Sequence, residues 1–330
     1  MKRVLLIPLV LILLASCERE AGVLDEKEEP RLVVNAMITA GADSQQVHIR
    51  TTGLARAENA SAAEVSILQN DMVAYSGIAD KRGSLMFSAK GFAPDDEIAI
   101  VARYGSIHAN ARVRVPKPII IMGLDTMTVR VRRSSSNKNL DRHTRYLVHL
   151  RQPEGYDSKQ THYFRVEVYK DILTLKKTPD QPATEEQSIV VDADHDQFSY
   201  SSDPALTESE NDSQDDLPIE FDWLAGVENK YHVFRDVYFA DGRYDLRLDL
   251  PYPYYASSRD WSQHVTIRIY SITETEYYYL QSLAVYTTLD AGTIFDTEPG
   301  ITSNVEGGAG MFCVESVTDI SFEEEHFVLP

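Results

Sequence analysis

Cysteine and basic charge are scarce in this sequence of 330 residues, and each scarcity excludes a class of protein. Two cysteines are too few for a small scaffold that disulfides hold together. Lys and Arg number 32 against 51 Asp and Glu, which gives a formal charge of -19. Such a surface repels phosphate backbones, so we expect no nucleic-acid partner.

Motifs of the common enzyme classes are missing as well. The sequence has no Gly-x-Ser-x-Gly, and its nine histidines form no i, i+4 pair and no zinc or metalloprotease signature. The glycine-rich stretch 303–310 lacks the lysine of a phosphate loop. These absences favour a protein that is not an enzyme.

The N-terminus lacks an apolar run long enough to span a bilayer. Residues 4–14 are apolar, but a spanning helix needs roughly 20 such residues. Two basic residues precede the run, and Leu14-Ala15-Ser16-Cys17 follows it as a lipobox. We therefore predict a signal peptide over residues 1–16 and a lipid anchor on Cys17, whose acyl chains bind the membrane at ~0.8 kcal/mol per buried methylene.

Charged residues and a closing proline characterise the segment behind Cys17. Residues 17–30 are poor in apolar side chains, and this composition predicts a solvated tether. The acidic residues directly after the cysteine resemble the signal that exports lipoproteins of Bacteroidota to the cell surface. We therefore expect a lipid-anchored location at the outer membrane, on the cell surface.

Short β-type segments follow from Arg31 onward. Apolar residues alternate with polar ones, as in Val47-His48-Ile49 and Val65-Ser66-Ile67, and turn residues separate the segments. This pattern predicts an all-β fold that begins with an immunoglobulin- or transthyretin-like β-sandwich over residues 31–116. Pro116-Lys117-Pro118 marks its end, because prolines do not pair in a sheet interior.

A second β-rich domain is predicted over residues 117–330. Residues 162–169 alternate as a half-buried strand, and residues 232–239 are predicted as another strand. One helix is predicted at about 274–289, where Thr273 and Glu276 have the spacing of a capping box. An acidic, mobile loop is predicted at about 203–218.

Tyrosines cluster on a proline-containing stretch of the second domain. The sequence Pro251-Tyr252-Pro253-Tyr254-Tyr255 presents three tyrosines in a rigid loop, and Trp261 follows closely. Rigid tyrosines suit contact with a protein, peptide or sugar, because they offer large area at low entropic cost. Contact with a partner and membrane-proximal or ordinary loop packing remain open interpretations.

Four aspartates have the spacing of a calcium loop. Asp192, Asp194, Asp196 and Asp203 occupy positions 1, 3, 5 and 12, but Gln197 stands where the loop needs glycine. A solvated acidic loop is therefore favoured over a metal site. We expect no cofactor, and calcium is the metal to test.

Two features near the C-terminus have structural explanations. Cys313 lies in an apolar run and is predicted to be a buried core residue rather than a catalytic thiol. Glycines in residues 303–310 permit a tight crossing under another strand or a ligand-contact loop, and we favour the crossing.

Several stretches together resemble a known family. They are residues 30–36, 161–166, 198–204, 279–283 and 298–312, of which the last is the most specific. The sequence resembles the Bacteroidota outer-membrane lipoproteins that are known only as a domain of unknown function and are usually encoded beside TonB-dependent receptors. The resemblance covers nearly the whole mature chain and implies two β-rich domains on a lipid tether, without catalytic residues.

The function implied by this resemblance is that of an accessory protein. We expect a non-enzymatic envelope lipoprotein that assists a TonB-dependent outer-membrane transporter in nutrient uptake. The alternative is a stand-alone surface adhesin or structural binding lipoprotein, in which the N-terminal sandwich acts as a stalk. Co-purification with a large β-barrel distinguishes the two.

Overall fold

The computed structural model describes most of the chain between residues 30 and 326. The described residues are 30–52, 58–132, 140–156, 159–176, 184–191, 198–200, 202–211, 224, 226–251, 260–288 and 301–326. Cys17, Tyr252, Tyr254 and Tyr255 lie outside them.

Strands dominate these residues, which confirms the all-β prediction. The strands are β1 (Leu32–Thr39), β2 (Gln45–Thr51), β3 (Glu58–Asn59), β4 (Glu64–Gln69), β5 (Met72–Ile78), β6 (Ser84–Phe87), β7 (Glu97–Tyr104), β8 (Ile107–Arg114), β9 (Ile120–Arg132), β10 (Leu140–Arg151), β11 (Tyr163–Lys176), β12 (Thr184–Val191), β13 (Val233–Arg235), β14 (Arg243–Pro251), β15 (Asp260–Ile272) and β16 (Gly308–His326). The helices are α1 (Glu208–Asn211) and α2 (Glu274–Thr288), with a 3-10 turn at Asp236–Tyr238.

The described strands form three sheets. A nine-stranded sheet has the order β12-β11-β15-β16-β1-β2-β3, with β13 beside β11 and β6 beside β2. A three-stranded sheet has the order β14-β10-β9, and a four-stranded sheet has the order β5-β4-β7-β8. β1 and β16 pair in parallel, in a register that joins Leu32 to Gly308.

The N-terminal sandwich has a core to which the end of the chain contributes. Alternate residues of β1, such as Leu32, Val34 and Ile38, are fully buried, as the alternation predicts. Phe312 and Val314 of β16 belong to the same apolar cluster. The sandwich predicted over residues 31–116 is therefore completed by a strand that comes some 190 residues later.

The second core lies between the three-stranded sheet and the β11-β15-β16 part of the large sheet. Phe164, Val166 and Val168 of β11 are buried in it, which confirms the predicted apolar face. The prediction of a half-buried strand was wrong, because Tyr163 and Arg165 on the opposite face are buried as well. Ile320 and Phe322 pack against it from β16. β16, with 19 residues, thus takes part in both cores.

Helix α2 covers the other face of the nine-stranded sheet, within one residue of its predicted end. Tyr277, Tyr278 and Leu280 are buried against residues of β11, β13 and β15. The Glu276 N–H donates to Thr273 Oγ1 at 3.2 Å, which forms half of the predicted capping box. The other half is absent, because the Glu276 carboxyl is buried beneath the helix. No helix of the described residues is long and apolar enough to cross a membrane.

The predicted strand over residues 232–239 is shorter in the structure. It keeps only β13, after which the chain turns at Asp236. The Asp236 carboxylate accepts hydrogen bonds from the His162 N–H at 3.0 Å and the Gln152 side chain at 2.6 Å. These bonds fix a turn where the apolar pattern favoured a continuous strand.

The glycine-rich stretch makes a close backbone approach, but it runs beside β1 in the same sheet and does not cross under it. Gly310 has φ +106°, and a Cβ there would lie 2.2 Å from the Val34 carbonyl oxygen. A Cβ at Gly308 would lie 2.4 Å from the Leu32 carbonyl oxygen. The close approach of β16 to β1 therefore requires glycine at both positions.

Candidate functional site

Most of the predicted site residues lie outside the described residues. This applies to the lipid-anchor residue Cys17, to the three tyrosines of the 252–255 loop, and to Asp192, Asp194 and Asp196. Trp261 lies on β15, but its side chain is not among those described. For these residues the sequence-based assignments stay predictions.

Asp203, the fourth predicted calcium ligand, is a folding residue instead. Its carboxylate is fully buried and accepts hydrogen bonds from the N–H groups of Ala205, Leu206 and Arg247 and from the hydroxyl of Tyr244, at 2.8 to 3.0 Å. Both oxygens are engaged, so the calcium-loop pattern loses its twelfth position. In the part of the chain that the structure describes, no three His, Cys, Asp or Glu side chains form a group that could hold a metal ion.

The first part of the predicted acidic loop is folded. Residues 203–211 form a turn followed by α1, and Ala205 and Leu206 pack into the second core. Glu208 is buried in an ion pair with Arg235 at 2.7 Å. The acidic composition predicted a solvated loop here. That prediction was wrong for these residues, because composition does not show which acidic side chains have a basic partner in the fold. Residues 212–218 lie outside the described ranges.

A cleft of about 550 Å³ opens where the two sandwiches meet. The N-terminal sandwich contributes Asp95 and Arg114, and the 116–118 connection contributes Lys117. Val115 and Pro116 line it at the junction itself. The remaining lining residues belong to the second unit and are Gly155, Tyr156, Gln160, Thr161, His162, Tyr163, Ser271, Ile272 and Glu274. We call this cavity the junction cleft.

One imidazole of the junction cleft is held in a fixed orientation. His162 Nδ1 lies 2.7 Å from Asp236 Oδ2, and the ring stacks on Tyr156 with centroids 3.8 Å apart. The Tyr156 hydroxyl donates to the Lys117 carbonyl at 2.8 Å, and burial raises the pKa of Tyr156 to about 12. A carboxylate on one ring nitrogen leaves the other, Nε2, for a ligand.

The acidic groups of the junction cleft already have partners. The Lys117 ammonium lies 3.4 Å from Asp95, and Glu274 accepts a hydrogen bond from the Tyr163 hydroxyl at 2.8 Å. Arg114 is exposed and has no ion pair or hydrogen bond to any described residue. Arg114 is therefore the charged group of this cavity that has no partner among the described residues.

A buried charged cluster lies beneath helix α2, on the opposite face of the sheet from the cores. Arg165 pairs there with Glu167 and Glu315, and its guanidinium lies 4.1 Å above the Tyr270 ring. Glu276 is completely buried, and neither of its carboxyl oxygens has a hydrogen-bond partner in the part of the chain that the structure describes. Burial, and then the nearby Glu315 carboxylate, raise the pKa of Glu276 to about 8.

Cys313 lies in the same cluster and is buried, as predicted. Burial and then the neighbouring Glu276 raise the pKa of its thiol well above the usual value. Since the thiolate is the nucleophilic form, this environment suits a structural cysteine.

Sequence reasoning missed both the junction cleft and the Arg165 cluster. Arg165 and Glu315 are 150 positions apart, and only the strand order brings them together. Glu276 stood out in the sequence, but its spacing from Thr273 indicated a helix cap and gave no sign that its carboxyl is buried beside Arg165.

The comparison with protein families assigns the chain to one of them. The profile of the family described as Domain of unknown function (DUF4249) matches residues 21–321. The chain belongs to this family. No curated protein matches it.

The comparison with solved structures gives matches of low identity and low TM-score. The three N-terminal domains of the bacteriophage RB49 Highly Immunogenic Outer Capsid protein share 10% identity, with a TM-score of 0.22 over 74% of this chain and 64% of that one. Bacteroides uniformis beta-glucuronidase 3 shares 8%, with a TM-score of 0.20 over 72% and 23%. Trypsin-activated alpha-2-macroglobulin from Escherichia coli shares 7%, with a TM-score of 0.20 over 74% and 15%. The chain spans less than two thirds of each, and these similarities carry no functional argument.

Proposed function

We propose that this protein is a lipid-anchored, non-enzymatic partner of a TonB-dependent outer-membrane transporter in nutrient uptake. The N-terminal sandwich makes the contact through its uncharged edge strand, β5. The exposure of that strand is the observation that supports the proposal most. The loop with Tyr252, Tyr254 and Tyr255, together with Trp261, remains a predicted second contact.

β5 presents apolar side chains at the free edge of the four-stranded sheet. Met72 is 72% exposed, Val73 64% and Ile78 66%, and Met86 on the neighbouring β6 is also exposed. β5 contains no charged residue and no proline. An edge of this kind accepts an additional strand from another protein, because its free N–H and C=O groups are accessible.

The other long outermost strands in the described part of the chain carry charges that oppose such pairing. β8 has Arg112 and Arg114, and the main chain of Glu306 bridges to it. β9 has Asp125 and Arg130, and β14 has Arg243, Asp245 and Arg247. The sequence of β12 includes Glu185 and Glu186. Charged residues on an edge strand oppose the addition of another strand, and β5 differs from these strands because it has none.

The predicted anchor places the β5 sandwich close to the membrane. Cys17 precedes Leu32, the first residue of β1, by 15 residues. A chain of that length reaches at most roughly 50 Å, at 3.3–3.6 Å per residue. A lipid on Cys17 would therefore keep the N-terminal sandwich within reach of an outer-membrane barrel.

Charge is divided unevenly between the two parts of the chain. Residues 31–116 contain nine Lys or Arg and eight Asp or Glu, whereas residues 117–330 contain 19 and 37. The near-neutral N-terminal sandwich approaches a partner without the long-range repulsion of the acidic part. This division favours a contact through β5 over one through the second unit's charged edges.

Co-purification with matched variants tests the proposal. The full chain with its anchor is expressed in its native host and recovered from gently solubilised outer membrane, and its partners are identified by mass spectrometry. We expect a stoichiometric TonB-dependent barrel, which is lost with Val73→Lys/Ile78→Lys and retained with Met122→Lys/Met127→Lys on exposed positions of β9. Recovery of the lipoprotein alone, under conditions that keep a known complex intact, favours the stand-alone adhesin or structural lipoprotein.

A further inference from the structure

We propose that the junction cleft binds a small carboxylate-bearing solute, which the Arg114 guanidinium and His162 Nε2 recognise. This site is separate from the β5 edge and does not depend on a transporter partner.

The junction cleft has the size of a small-molecule site. Its volume of about 550 Å³ falls within the roughly 300–1,000 Å³ of ligand pockets. Both sandwiches and the proline-containing connection contribute to its walls. Ligand pockets occur preferentially at such junctions, because each unit supplies groups that the other lacks.

Arg114 is the cation of the junction cleft that remains available. The other basic side chain, Lys117, already pairs with Asp95 at 3.4 Å. Arg114 has no ion-pair or hydrogen-bond partner among the described residues, in a chain where acids outnumber bases by 51 to 32. The planar guanidinium fork matches a carboxylate and binds it through two parallel hydrogen bonds.

His162 supplies the second recognition group at the same cavity. Asp236 holds Nδ1 at 2.7 Å and also accepts the His162 peptide N–H at 3.0 Å, while Tyr156 stacks on the ring. These contacts fix the ring, so it loses little conformational freedom on binding. With Nδ1–H donated to Asp236, Nε2 carries the lone pair, and it has no partner within the described ranges. It can accept a hydrogen bond from a hydroxyl or ammonium group of the same solute.

The acidic groups of the junction cleft are already engaged, which favours a carboxylate over an amine as the ligand. Lys117 compensates Asp95, and Glu274 accepts the Tyr163 hydroxyl, which leaves both acids engaged. Helix α2 begins at Glu274, and the positive end of a 15-residue helix adds favourable potential for an anion. The Arg114 guanidinium therefore offers its donors to a carboxylate, and both acids of the junction cleft already have a partner.

Calorimetric titration of the full mature chain tests this assignment with defined probes. The probes are glucuronate, glutamate and acetate, with glucose as the uncharged counterpart of glucuronate and sulfate as a non-planar anion. We expect at least one carboxylate to bind at least tenfold more tightly than glucose and sulfate. Absence of saturable binding by all three carboxylates, or equal binding of sulfate, would overturn the proposal.

Matched variants locate the binding. Arg114→Gln is an exposed substitution that leaves the fold intact, and we expect it to weaken carboxylate binding at least tenfold. His162→Phe keeps the stacking on Tyr156 and removes Nε2, so it should have a similar effect. Arg103→Gln, at an exposed position on β7, should leave binding unchanged. Unchanged affinity in Arg114→Gln contradicts the assignment. Co-purification with a barrel should be unaffected by Arg114→Gln, so the two proposals fail independently.

Discussion

The guanidinium of Arg165 and the carboxylate of Glu315 form a buried ion pair, with Nη2 and Oε2 2.8 Å apart. Arg165 lies on β11 and Glu315 on β16, and the Tyr270 ring of the intervening β15 lies beneath the guanidinium. The pair thus connects three strands of the large sheet under helix α2. Because β16 also completes the N-terminal core, this contact lies where the two units are joined.

Glu276 makes the cluster around Arg165 sensitive to pH. Burial raises its pKa from the usual 4.5 to about 8, so the folded state keeps a proton that the unfolded chain releases. The stability from this group is complete below about pH 4.5 and is lost as the pH rises through 8. The slope is at most about 1.4 kcal/mol per pH unit.

Glu276→Gln removes this titration, so the free energy of unfolding should depend less on pH between 5 and 9. We expect the variant to exceed the parent in stability at pH 8 to 9. Urea unfolding at each pH measures the difference, and Glu154→Gln, at an exposed position, is the control. A variant with the parent's pH profile would show that Glu276 is ionised in the fold.

Lys170 carries an amine that the second sandwich buries without a hydrogen-bond partner in the described residues. Burial lowers its pKa from 10.5 to about 8, against the influence of Glu324. The unfolded chain therefore binds more protons between pH 8 and 10.5, and stability from this group rises over that range. Lys170→Met should stabilise the protein at pH 7 by on the order of 2 kcal/mol.

Thermal and urea unfolding at pH 7 and pH 10 check the Lys170 prediction, with Lys90→Met as an exposed control. The gain from Lys170→Met should shrink at the higher pH. A loss of stability at pH 7 would mean that the amine has a stabilising partner.

Asp203 organises the turn before α1 through four hydrogen bonds. Asp203→Asn places an amide group among donors that need an acceptor, so we expect a loss of about 2–4 kcal/mol. Denaturant unfolding measures this loss. Asp43→Asn, at an exposed position, should cost less than about 0.5 kcal/mol. A loss as small as that of Asp43→Asn would show that the hydrogen bonds of Asp203 do not stabilise the fold.

Gly310 permits the close approach of β16 to β1. Gly310→Ala puts a Cβ 2.2 Å from the Val34 carbonyl oxygen at a φ of +106°, so we expect a loss of more than about 3 kcal/mol or failure to fold. Gly91→Ala has no contact closer than 3.9 Å and should be nearly neutral. Expression yield and thermal unfolding of both variants provide the measurement, and equal stability would show that the close approach of β16 to β1 does not require glycine at position 310.

Local patterns predicted the elements well because alternation and capping act over a few residues. The burial of Val34, Val166 and Cys313 and the position of α2 followed from such patterns. The parallel pairing of β1 with β16 did not, since alternation shows which face is buried but not which strand lies alongside. The junction cleft was missed for the same reason: Arg114 and His162 meet through tertiary packing.

Site-specific photo-crosslinking in cells tests the contact through β5 most directly. A photoreactive residue replaces Val73 on β5 in the full chain, and a matched one replaces Met122 on β9, both at exposed positions. The account predicts a crosslink from position 73, and none from position 122, to a TonB-dependent barrel. The control is that the anchored protein is present at the membrane. Under that condition, the account is contradicted if position 73 crosslinks only to other copies of the chain or to no protein.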